Sequence, residues 1–300
     1  MIGKRRIWRA TVLVCGVAIV AFLGVAWLVA GALIESNNRP IGPPPEQWNV
    51  EELKIPSDSG TDLATWYIPN EKAKASLALL HPLGADRRAM LGRAQLFHDA
   101  GYAVLLVDLQ AHGESPGDSI TVGYRERLDA EAAVDYLRAR NPDSPIGVVG
   151  WSLGGAAALL ASPLEIDALV LEAVYPTIHE AVNNRIAMRM GVLSHLLTPV
   201  LLVQMKPRLG ISPADLSPID RISEIDCPVL VIAGDYDSHT TLAETKRLYG
   251  RAEEPKQLLI FEGGTHTDLL NYDPENYRKV VVFLDHHLAP NTVARAVEQE

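Results

Sequence analysis

Short apolar runs alternate with longer amphipathic stretches from residue 48 onward. The apolar runs predict strands at residues 50–55, 63–68, 77–80, 103–108, 146–150, 168–172, 228–233 and 257–261. The amphipathic stretches predict helices at residues 87–100, 124–140, 153–161, 242–249 and 275–288. Because nearly continuous apolar strands are buried on both faces, we expect a mostly parallel, eight-stranded sheet with helices on both sides. The first two strands have no helix between them, which favours an antiparallel start.

A different pattern opens the chain. Residues 10–34 are apolar and uncharged, and the basic segment at residues 1–9 precedes them. A helix of about 25 residues, rising about 1.5 Å per residue, crosses the ~30 Å hydrocarbon core of a bilayer. We therefore expect a transmembrane helix at residues 10–34, with residues 1–9 in the cytoplasm and the rest of this single-pass chain outside it. The alternative is a cleaved signal peptide, whose apolar region usually has only about 7–15 residues.

Proline and glycine mark the next boundary. Residues 35–47 include three consecutive prolines and predict an extended spacer that holds the following domain off the bilayer. The α/β domain is expected at residues 48–290, and a short tail at residues 291–300. Within the domain, residues 175–220 hold no clear strand. They predict a small helical cap over the edge of the sheet where α/β proteins bind their ligands.

Composition narrows the classes of function. The chain has 37 acidic and 27 basic residues and a net charge of -10, so no broad cationic surface for nucleic acid is expected. Cys15 lies in the apolar run and Cys227 before a predicted strand, and this pair does not predict a disulfide. The sequence contains no H-E-x-x-H motif, cysteine cluster or phosphate-binding loop, so we expect neither a metal nor an organic cofactor.

The main candidate for chemistry is the G-x-S-x-G motif Gly150-Trp151-Ser152-Leu153-Gly154. It lies between a predicted strand and a predicted helix, where a sharp turn exposes the serine hydroxyl as a nucleophile. Side chains in place of the glycines would clash with neighbouring backbone. Ser152 is therefore the candidate nucleophile. The alternative is a glycine-rich turn without chemistry.

A serine nucleophile needs a base that is itself oriented by a third group, and in this context an acid and then a histidine follow the serine along the chain. The strand predicted at residues 228–233 is followed by both Asp235 and Asp237, and proximity alone does not separate them. Glu172, after the preceding strand, is a third candidate. The last predicted strand leads into a glycine-bearing loop with His266, which is the candidate base.

The other histidines of this half of the chain have simpler explanations. His286 and His287 end a predicted helix, where a positive charge or a bond to the last carbonyls is favourable. His239 follows the candidate acids and is expected to cap the next helix. Neither position predicts a catalytic role.

Acyl transfer also needs two amide donors for the oxyanion, one after the nucleophile and one from the loop after an earlier strand. Leu153 supplies the first. The strand predicted at residues 77–80 leads into His81-Pro82-Leu83-Gly84, and Pro82 has no amide hydrogen. Leu83 is therefore the expected second donor, with Gly84 as the alternative.

Together these features resemble the α/β-hydrolase superfamily, in particular its small membrane-anchored serine hydrolases, over about residues 50 to 288. The resemblance rests on the elbow around Ser152, on Gly234-x-x-Asp237, on Gly264-x-His266 and on Asp108-x-x-x-His112-Gly113-x-Ser115. The last motif resembles the family's structural loop after its fourth strand. The family spacing favours Asp237 over Asp235 as the acid. The sequence departs from the family at His81-Pro82, where relatives commonly carry His-Gly, which leaves the shape of the oxyanion loop open.

The resemblance implies an acyl-enzyme mechanism. Serine at the elbow argues against the superfamily's epoxide hydrolases and haloalkane dehalogenases, which carry aspartate there. The expected function is a carboxylesterase-like or lipase-like hydrolase that forms an acyl-enzyme on Ser152 from an ester or thioester of a small-molecule or lipid-like acyl substrate. A peptidase or amidase with the same triad and a non-catalytic binding module of the same fold are the alternatives. The oligomeric state is not predicted.

The cap is strongly apolar at residues 186–203. Two interpretations follow. Either these side chains only cover the edge of the sheet, or they line an apolar pocket for an acyl chain that admits lipid from the bilayer. A preference of the activity for medium over short acyl chains would distinguish the second interpretation from the first.

Overall fold

The computed structural model describes residues 2–289, with side chains from residue 6 onward. Met1 and the predicted tail at residues 291–300 lie outside the described residues. The helices are α1 (Ile2–Leu33), α2 (Leu91–Asp99), α3 (Glu126–Arg140), α4 (Leu153–Leu160), α5 (Ile178–Met190), α6 (Ser194–Leu202), α7 (Met205–Leu209), α8 (Leu242–Arg251), α9 (Leu269–Tyr272) and α10 (Pro274–Leu288). The strands are β1 (Asn37–Asn38), β2 (Glu51–Ser57), β3 (Thr61–Ile68), β4 (Ser76–Leu80), β5 (Ala103–Val107), β6 (His112–Gly113), β7 (Ile146–Trp151), β8 (Ala168–Glu172), β9 (Val229–Gly234) and β10 (Lys256–Phe261).

An eight-stranded sheet forms the centre of the domain, in the order β10-β9-β8-β7-β4-β5-β3-β2. Strand β3 is antiparallel to β2 and to β5, and the other neighbours are parallel. Helices α3, α4 and α8 pack on one face and α2 and α10 on the other, so the apolar central strands are buried on both sides. The predicted strands, the antiparallel start and the two layers of helices are confirmed.

The predicted cap is also present. After β8, the chain forms α5, α6 and α7 and several short 3₁₀ turns before it returns to the sheet at β9. Ile178, Ala181, Leu202 and Met205 turn inward and join the apolar core on the α4 side of the sheet. The cap therefore packs on the domain through part of its apolar surface.

Helix α1 is long and apolar enough to span a bilayer over Arg6–Leu33. Its exposed surface is almost continuous, and the buried residues Ala26 and Ala30 lie one turn apart near its C-terminal end. There α1 packs against α6, and the Gln204 side-chain amide donates to the carbonyl of Ala26 over 3.3 Å. The helix therefore contacts the cap directly.

The first part of the predicted spacer at residues 35–47 binds the domain, and its role of holding the domain off the bilayer stays a prediction. Strand β1 begins four residues after α1 ends and pairs in parallel with β6. The amide of Asn37 donates to Ala111 over 2.7 Å, and the amide of Arg39 donates to Gly113 over 2.8 Å. An extended segment leaves its amides free to join a neighbouring strand, and here they bind a loop of the domain. The linker therefore fixes the domain close to the end of α1.

Candidate active site

Ser152 stands at the turn from β7 into α4 with a φ of 51° and a ψ of -106°. A residue with a side chain rarely adopts a positive φ, and such conformations persist only where the surroundings impose them. The surroundings here are backbone. A side chain at Gly154 would overlap the carbonyl of Leu80, and one at Gly150 would overlap the backbone of Gly155. The turn is therefore held by close approach of the chain to itself, as the motif predicts.

His266 contacts Asp237. Their Nδ1 and Oδ2 atoms are 2.7 Å apart, and the Asp237 side chain is fully buried. The other carboxylate oxygen accepts the amides of His239 over 2.7 Å and Thr240 over 3.0 Å. With Nδ1 donating to the carboxylate, the Nε2 atom of His266 is left as the acceptor. This is the tautomer that a general base needs.

Asp235 has a different role from Asp237. Its Oδ1 atom accepts the amide of Gly263 over 2.7 Å, so it supports the loop that carries His266. The same two loops meet at Gly234, where a side chain would overlap the carbonyl of Gly264. Both loops are thus bound to each other, and Asp237 rather than Asp235 points its carboxylate at the imidazole.

Glu172 lies below the elbow and binds Arg93. The Arg93 Nη2 atom is 2.6 Å from Glu172 Oε2, and both side chains are fully buried. The Tyr277 hydroxyl donates to the same carboxylate, and burial raises the pKa of Tyr277 well above its ordinary value, so the phenol stays protonated. The Arg93 guanidinium also lies 4.6 Å from the centre of the Trp151 ring. Sequence reasoning missed Arg93, because a charge within an amphipathic helix is typical of an exposed position.

The expected oxyanion donors come from two neighbouring segments. Leu153 is the first residue of α4, so its amide has no acceptor within the helix. Leu83 follows β4, whose last residue Leu80 contacts the elbow at Gly154. The amide of Leu83 makes no hydrogen bond to any part of the chain within residues 2–289. Both donors are therefore free to bind an oxygen from substrate.

The shape of the His81-Pro82 loop is set by a neutral imidazole. His81 Nδ1 is 2.8 Å from the carbonyl of Pro82, and His81 Nε2 accepts the amide of Leu109 over 3.1 Å. Burial, with a smaller contribution from the charge of His112, lowers the pKa of His81 from 6.5 to about 3. His81 therefore donates through one nitrogen and accepts through the other, and proline at position 82 needs no amide hydrogen for this arrangement.

The loop after β5 is structural, as its resemblance to the family implies. Asp108 accepts the amides of Arg87 over 2.6 Å and Glu114 over 2.8 Å. The Ser115 hydroxyl donates to the Asp108 carbonyl over 2.6 Å and accepts the amide of Ala64 over 2.8 Å. These bonds connect the loop to β3 and to the start of the 3₁₀ turn before α2. The side chain of Asn37 extends the network from the linker, since it donates to the carbonyl of Gly84 over 2.6 Å.

Ser152 and His266 are brought to one edge of the sheet without a bond between them. Strands β7, β9 and β10 are part of the same parallel set, so the segments that follow them meet at their carboxyl ends. Among the described residues no hydrogen bond joins Ser152 Oγ to His266. Catalytic hydrogen bonds often form fully only with bound substrate. The arrangement therefore provides an oriented imidazole and a strained serine turn at the same edge of the sheet.

His239 is the residue that the sequence interpretation placed wrongly. It does not cap α8, because Thr241 is the N-cap and forms a capping box with Glu244. The His239 ring instead stacks on His266, with centres 4.6 Å apart. Burial and the adjacent His266 lower the pKa of His239. Nothing in the spacing of the sequence indicates this stacking, because it depends on the path of two loops.

Asp237, His239 and His266 also have the donor atoms of a metal site. One ligand atom from each lies within 4.8 Å of the others. A divalent cation there would take one ring nitrogen from each histidine and a carboxylate oxygen from Asp237. Because Nδ1 of His266 contacts Asp237, such a cation would occupy Nε2, the nitrogen that a general base needs.

The apolar side chains of the cap divide into two groups. Leu202 is buried, and Leu197 and Leu201 are half-buried. The others point away from the domain, at Met188, Met190, Val192, Leu193 and Leu196. The cap thus packs on the domain through some of its apolar residues and exposes others.

The known proteins that this chain resembles are hydrolases and uncharacterized proteins. A family model described as serine aminopeptidase, S33, matches residues 71–218. The uncharacterized protein YqkD of Bacillus subtilis is 28% identical over 246 residues, which cover 80% of this chain and 81% of that protein. The pimeloyl-acyl-carrier-protein methyl ester esterase of Neisseria meningitidis is 34% identical over a shorter stretch of 100 residues, 32% of this chain and 36% of that protein.

Comparison with solved structures supports the α/β-hydrolase fold. The esterase Pf2001 of Pyrococcus furiosus superposes with a TM-score of 0.71 at 22% identity, covering 85% of this chain and 99% of that one. At this identity the likeness concerns the fold alone.

Proposed function

The chain belongs to the α/β-hydrolase superfamily, and from this premise we propose that it is a membrane-anchored serine hydrolase that cleaves an ester or thioester through an acyl-enzyme on Ser152. The observation that carries the proposal is the 2.7 Å contact of His266 with Asp237 at the sheet edge where the Ser152 elbow opens. A folded binding module has no need of an imidazole held in this tautomer or of a serine at a positive φ.

The proposed mechanism assigns a role to each group. Nε2 of His266 takes the proton of Ser152 as the hydroxyl attacks the substrate carbonyl, and Asp237 stabilises the imidazolium that forms. The amides of Leu153 and Leu83 donate to the oxyanion of the tetrahedral intermediate. His266 then returns the proton to the leaving group, and water releases the acid in a second round of the same steps. The substrate is a small-molecule or lipid-like acyl compound.

A peptidase or amidase with the same triad is the second candidate. The description of the matching family model as a serine aminopeptidase favours it. His266 protonates an amine leaving group by the same route as an alcohol, so the triad serves either reaction. A direct comparison of kcat/KM for p-nitrophenyl butyrate and for an aminoacyl p-nitroanilide separates the two, and we expect the ester to be the better substrate.

The membrane anchor is the other part of the proposal. The most apolar 18-residue window of helix α1 has a mean hydropathy of 2.8, and only 6% of that window is buried against the protein. Its N-terminal side carries the basic residues of the chain start, which favours a cytoplasmic N-terminus and a catalytic domain outside. Membranes washed with alkaline carbonate should retain the full-length protein. A mature form that begins after residue 33 would instead support the signal-peptide alternative.

Labelling with a fluorescent fluorophosphonate tests the activated serine. We expect the purified full-length protein to label, and Ser152→Ala and His266→Ala to abolish labelling. Ser152→Ala should also lower kcat by about four to six orders of magnitude. Ser162→Ala is a matched control, since Ser162 is equally buried but lies beyond α4. Wild-type protein that is folded and does not label would contradict the hydrolase proposal and favour a binding module.

A further inference from the structure

The cap carries an apolar surface with no partner among the described residues. We define the cap outer face as Met188, Met190, Val192, Leu193, Leu196 and Val203. Val192, Leu196 and Val203 are 83%, 69% and 70% exposed. Leu196 and the C-cap residue Val203 are seven residues apart and lie on one side of α6, and Val192 is in the 3₁₀ turn that leads into this helix. Soluble proteins rarely expose contiguous apolar patches of this kind unless the patch binds something.

The position of this face is set by α1. Arg208 of the cap donates to the carbonyl of Trp27, and its guanidinium lies 3.7 Å from the centre of the Trp27 ring. Trp27 is six residues before the end of α1, which corresponds to about 9 Å along a helix. Tryptophan and arginine favour the boundary between acyl chains and headgroups. The contact between α1 and the cap therefore lies at the depth of the membrane interface.

The charge of the three cap helices fits an anionic surface, and the other acidic residues of the cap, Asp215 and Asp220, follow only after α7. Residues 178–209 contain the basic side chains Arg185, Arg189, Lys206 and Arg208, and Glu180 is their only acidic residue, whereas the whole chain carries a net charge of -10. Arg189 and Lys206 are exposed next to the cap outer face. Basic residues that flank an apolar helix face are typical of segments that lie in the membrane interface, where anionic headgroups attract them.

The linker keeps this face near the bilayer. Only residues 34–36 separate α1 from β1, and fully extended they reach about 10 Å. The most apolar 18-residue window within Ile178–Leu209 has a mean hydropathy of 1.7, although the stretch is broken into separate helices and does not form one span. A surface this apolar, held this close to the end of a transmembrane helix, lies within reach of the leaflet.

We propose that the cap outer face is a second membrane-binding surface, inserted among the acyl chains of the leaflet at the C-terminal end of α1, with Arg189 and Lys206 at the headgroups. The inference rests on the proposed anchoring by α1. It assigns the apolar residues of the cap to the lipid rather than to a pocket. The active-site edge beneath the cap then opens beside the membrane surface.

Environment-sensitive labelling of the full-length protein tests this assignment. A nitrobenzoxadiazole label is placed at Val192→Cys, with Val282→Cys as the control, in a background of Cys15→Ser and Cys227→Ala. Val282 lies on α10 and is also strongly exposed, at 66%. In vesicles of phosphatidylcholine and phosphatidylglycerol we expect a blue-shifted emission at position 192, quenched by brominated acyl chains at least about fivefold more than at position 282.

Two outcomes would overturn the proposal. One is a water-like, unquenched label at position 192 in protein that alkaline carbonate leaves in the vesicles, because α1 would then be inserted without the cap. The other is a blue shift that disappears on dilution to about one chain per vesicle, which would assign the face to a second copy of the protein. Release of the whole protein by carbonate contradicts the anchoring by α1 instead, and bromine quenching in that sample would still support the cap.

Discussion

The edge of the sheet around Ser152 and the cap above it are built in opposite ways. At the sheet edge, buried polar groups such as His81, Asp108 and Asp237 have specific partners, and backbone segments approach each other where glycine allows it. On the cap, apolar side chains such as Val192 and Leu196 are exposed to solvent. Contacts within the protein fix the shape of the first region. The exposed apolar side chains of the second region would be removed from water only by an apolar environment outside the domain.

This difference separates effects on chemistry and stability from effects on location. A change at the sheet edge removes a hydrogen bond or forces two segments apart, and the protein has no substitute for either. A change on the cap outer face alters little within the folded domain. The predictions below test this contrast.

The largest effect is expected for Asp237→Asn. The amide can no longer hold His266 as the tautomer that accepts the proton of serine, so kcat should fall by about 10³ to 10⁴. Asp235→Asn is the matched control, because Asp235 binds the amide of Gly263 and not the imidazole. Steady-state kinetics on an ester measure both. Equal losses in the two variants would contradict the assignment of the acid.

The next largest effect is expected for Gly154→Ala, which should lower the free energy of unfolding. The added carbon meets the carbonyl of Leu80, which belongs to a central strand and cannot yield, so we expect a cost of about 3 kcal/mol or more. Gly250→Ala is the control, since that helical glycine has open space around it and should gain about 0.5–1 kcal/mol. Urea unfolding in detergent gives both values. A tolerated Gly154→Ala would show that the elbow is not held by close packing.

A pH-dependent effect of intermediate size is expected at His81. The pKa of this histidine is lowered to about 3 in the folded protein, so below its ordinary value of 6.5 the unfolded chain binds more protons, and stability is lost as the pH falls. Between about pH 7.5 and about pH 5.5 this amounts to about 1.4 kcal/mol. Glutamine at position 81 keeps a donor and an acceptor without titrating. The free energy of unfolding of His81→Gln should therefore depend less steeply on pH, and an unchanged slope would contradict the neutral imidazole.

The smallest effect is expected on the cap. Leu196→Gln should change the free energy of unfolding in detergent by less than about 0.5 kcal/mol, because the side chain makes few contacts within the domain. Leu171→Ala, in a fully buried position of β8, should cost about 2–5 kcal/mol. The pair compares the two regions directly. A large cost at Leu196 would mean that the cap outer face packs on the protein after all.

Much of the fold was predictable because the signals were local. The α/β-hydrolase fold was confirmed, as were its strands and the presence of a helical cap, since apolar runs and glycine turns fix these over short stretches of chain. The elbow was predictable for the same reason, because its glycines are needed where two backbones meet. The contact between Asp237 and His266 agrees with the spacing after β9 and β10. The catalytic roles of these residues stay predictions.

Other features depend on contacts between distant segments. The stacking of His239 on His266, the burial of Arg93 with Glu172 and the pairing of β1 with β6 all join parts of the chain that no local pattern relates. The binding of the linker to the domain was not predicted, because proline and glycine favour an extended path but do not say what that path lies against. The exposure of Leu196 likewise depends on how α6 is rotated about its own axis, and the amino-acid composition does not determine this rotation.

The short, paired linker has a consequence for how the catalytic domain is presented. A flexible tether of 13 residues would let a domain move within a radius of about 20 Å and adopt every orientation. Here the chain is bound again at Asn37, and the side chain of that residue reaches the carbonyl of Gly84 beside the expected oxyanion donor. With α1 in a membrane, every molecule would hold its catalytic domain in the same orientation relative to the bilayer. Each catalytic domain would turn the same face toward the lipid surface.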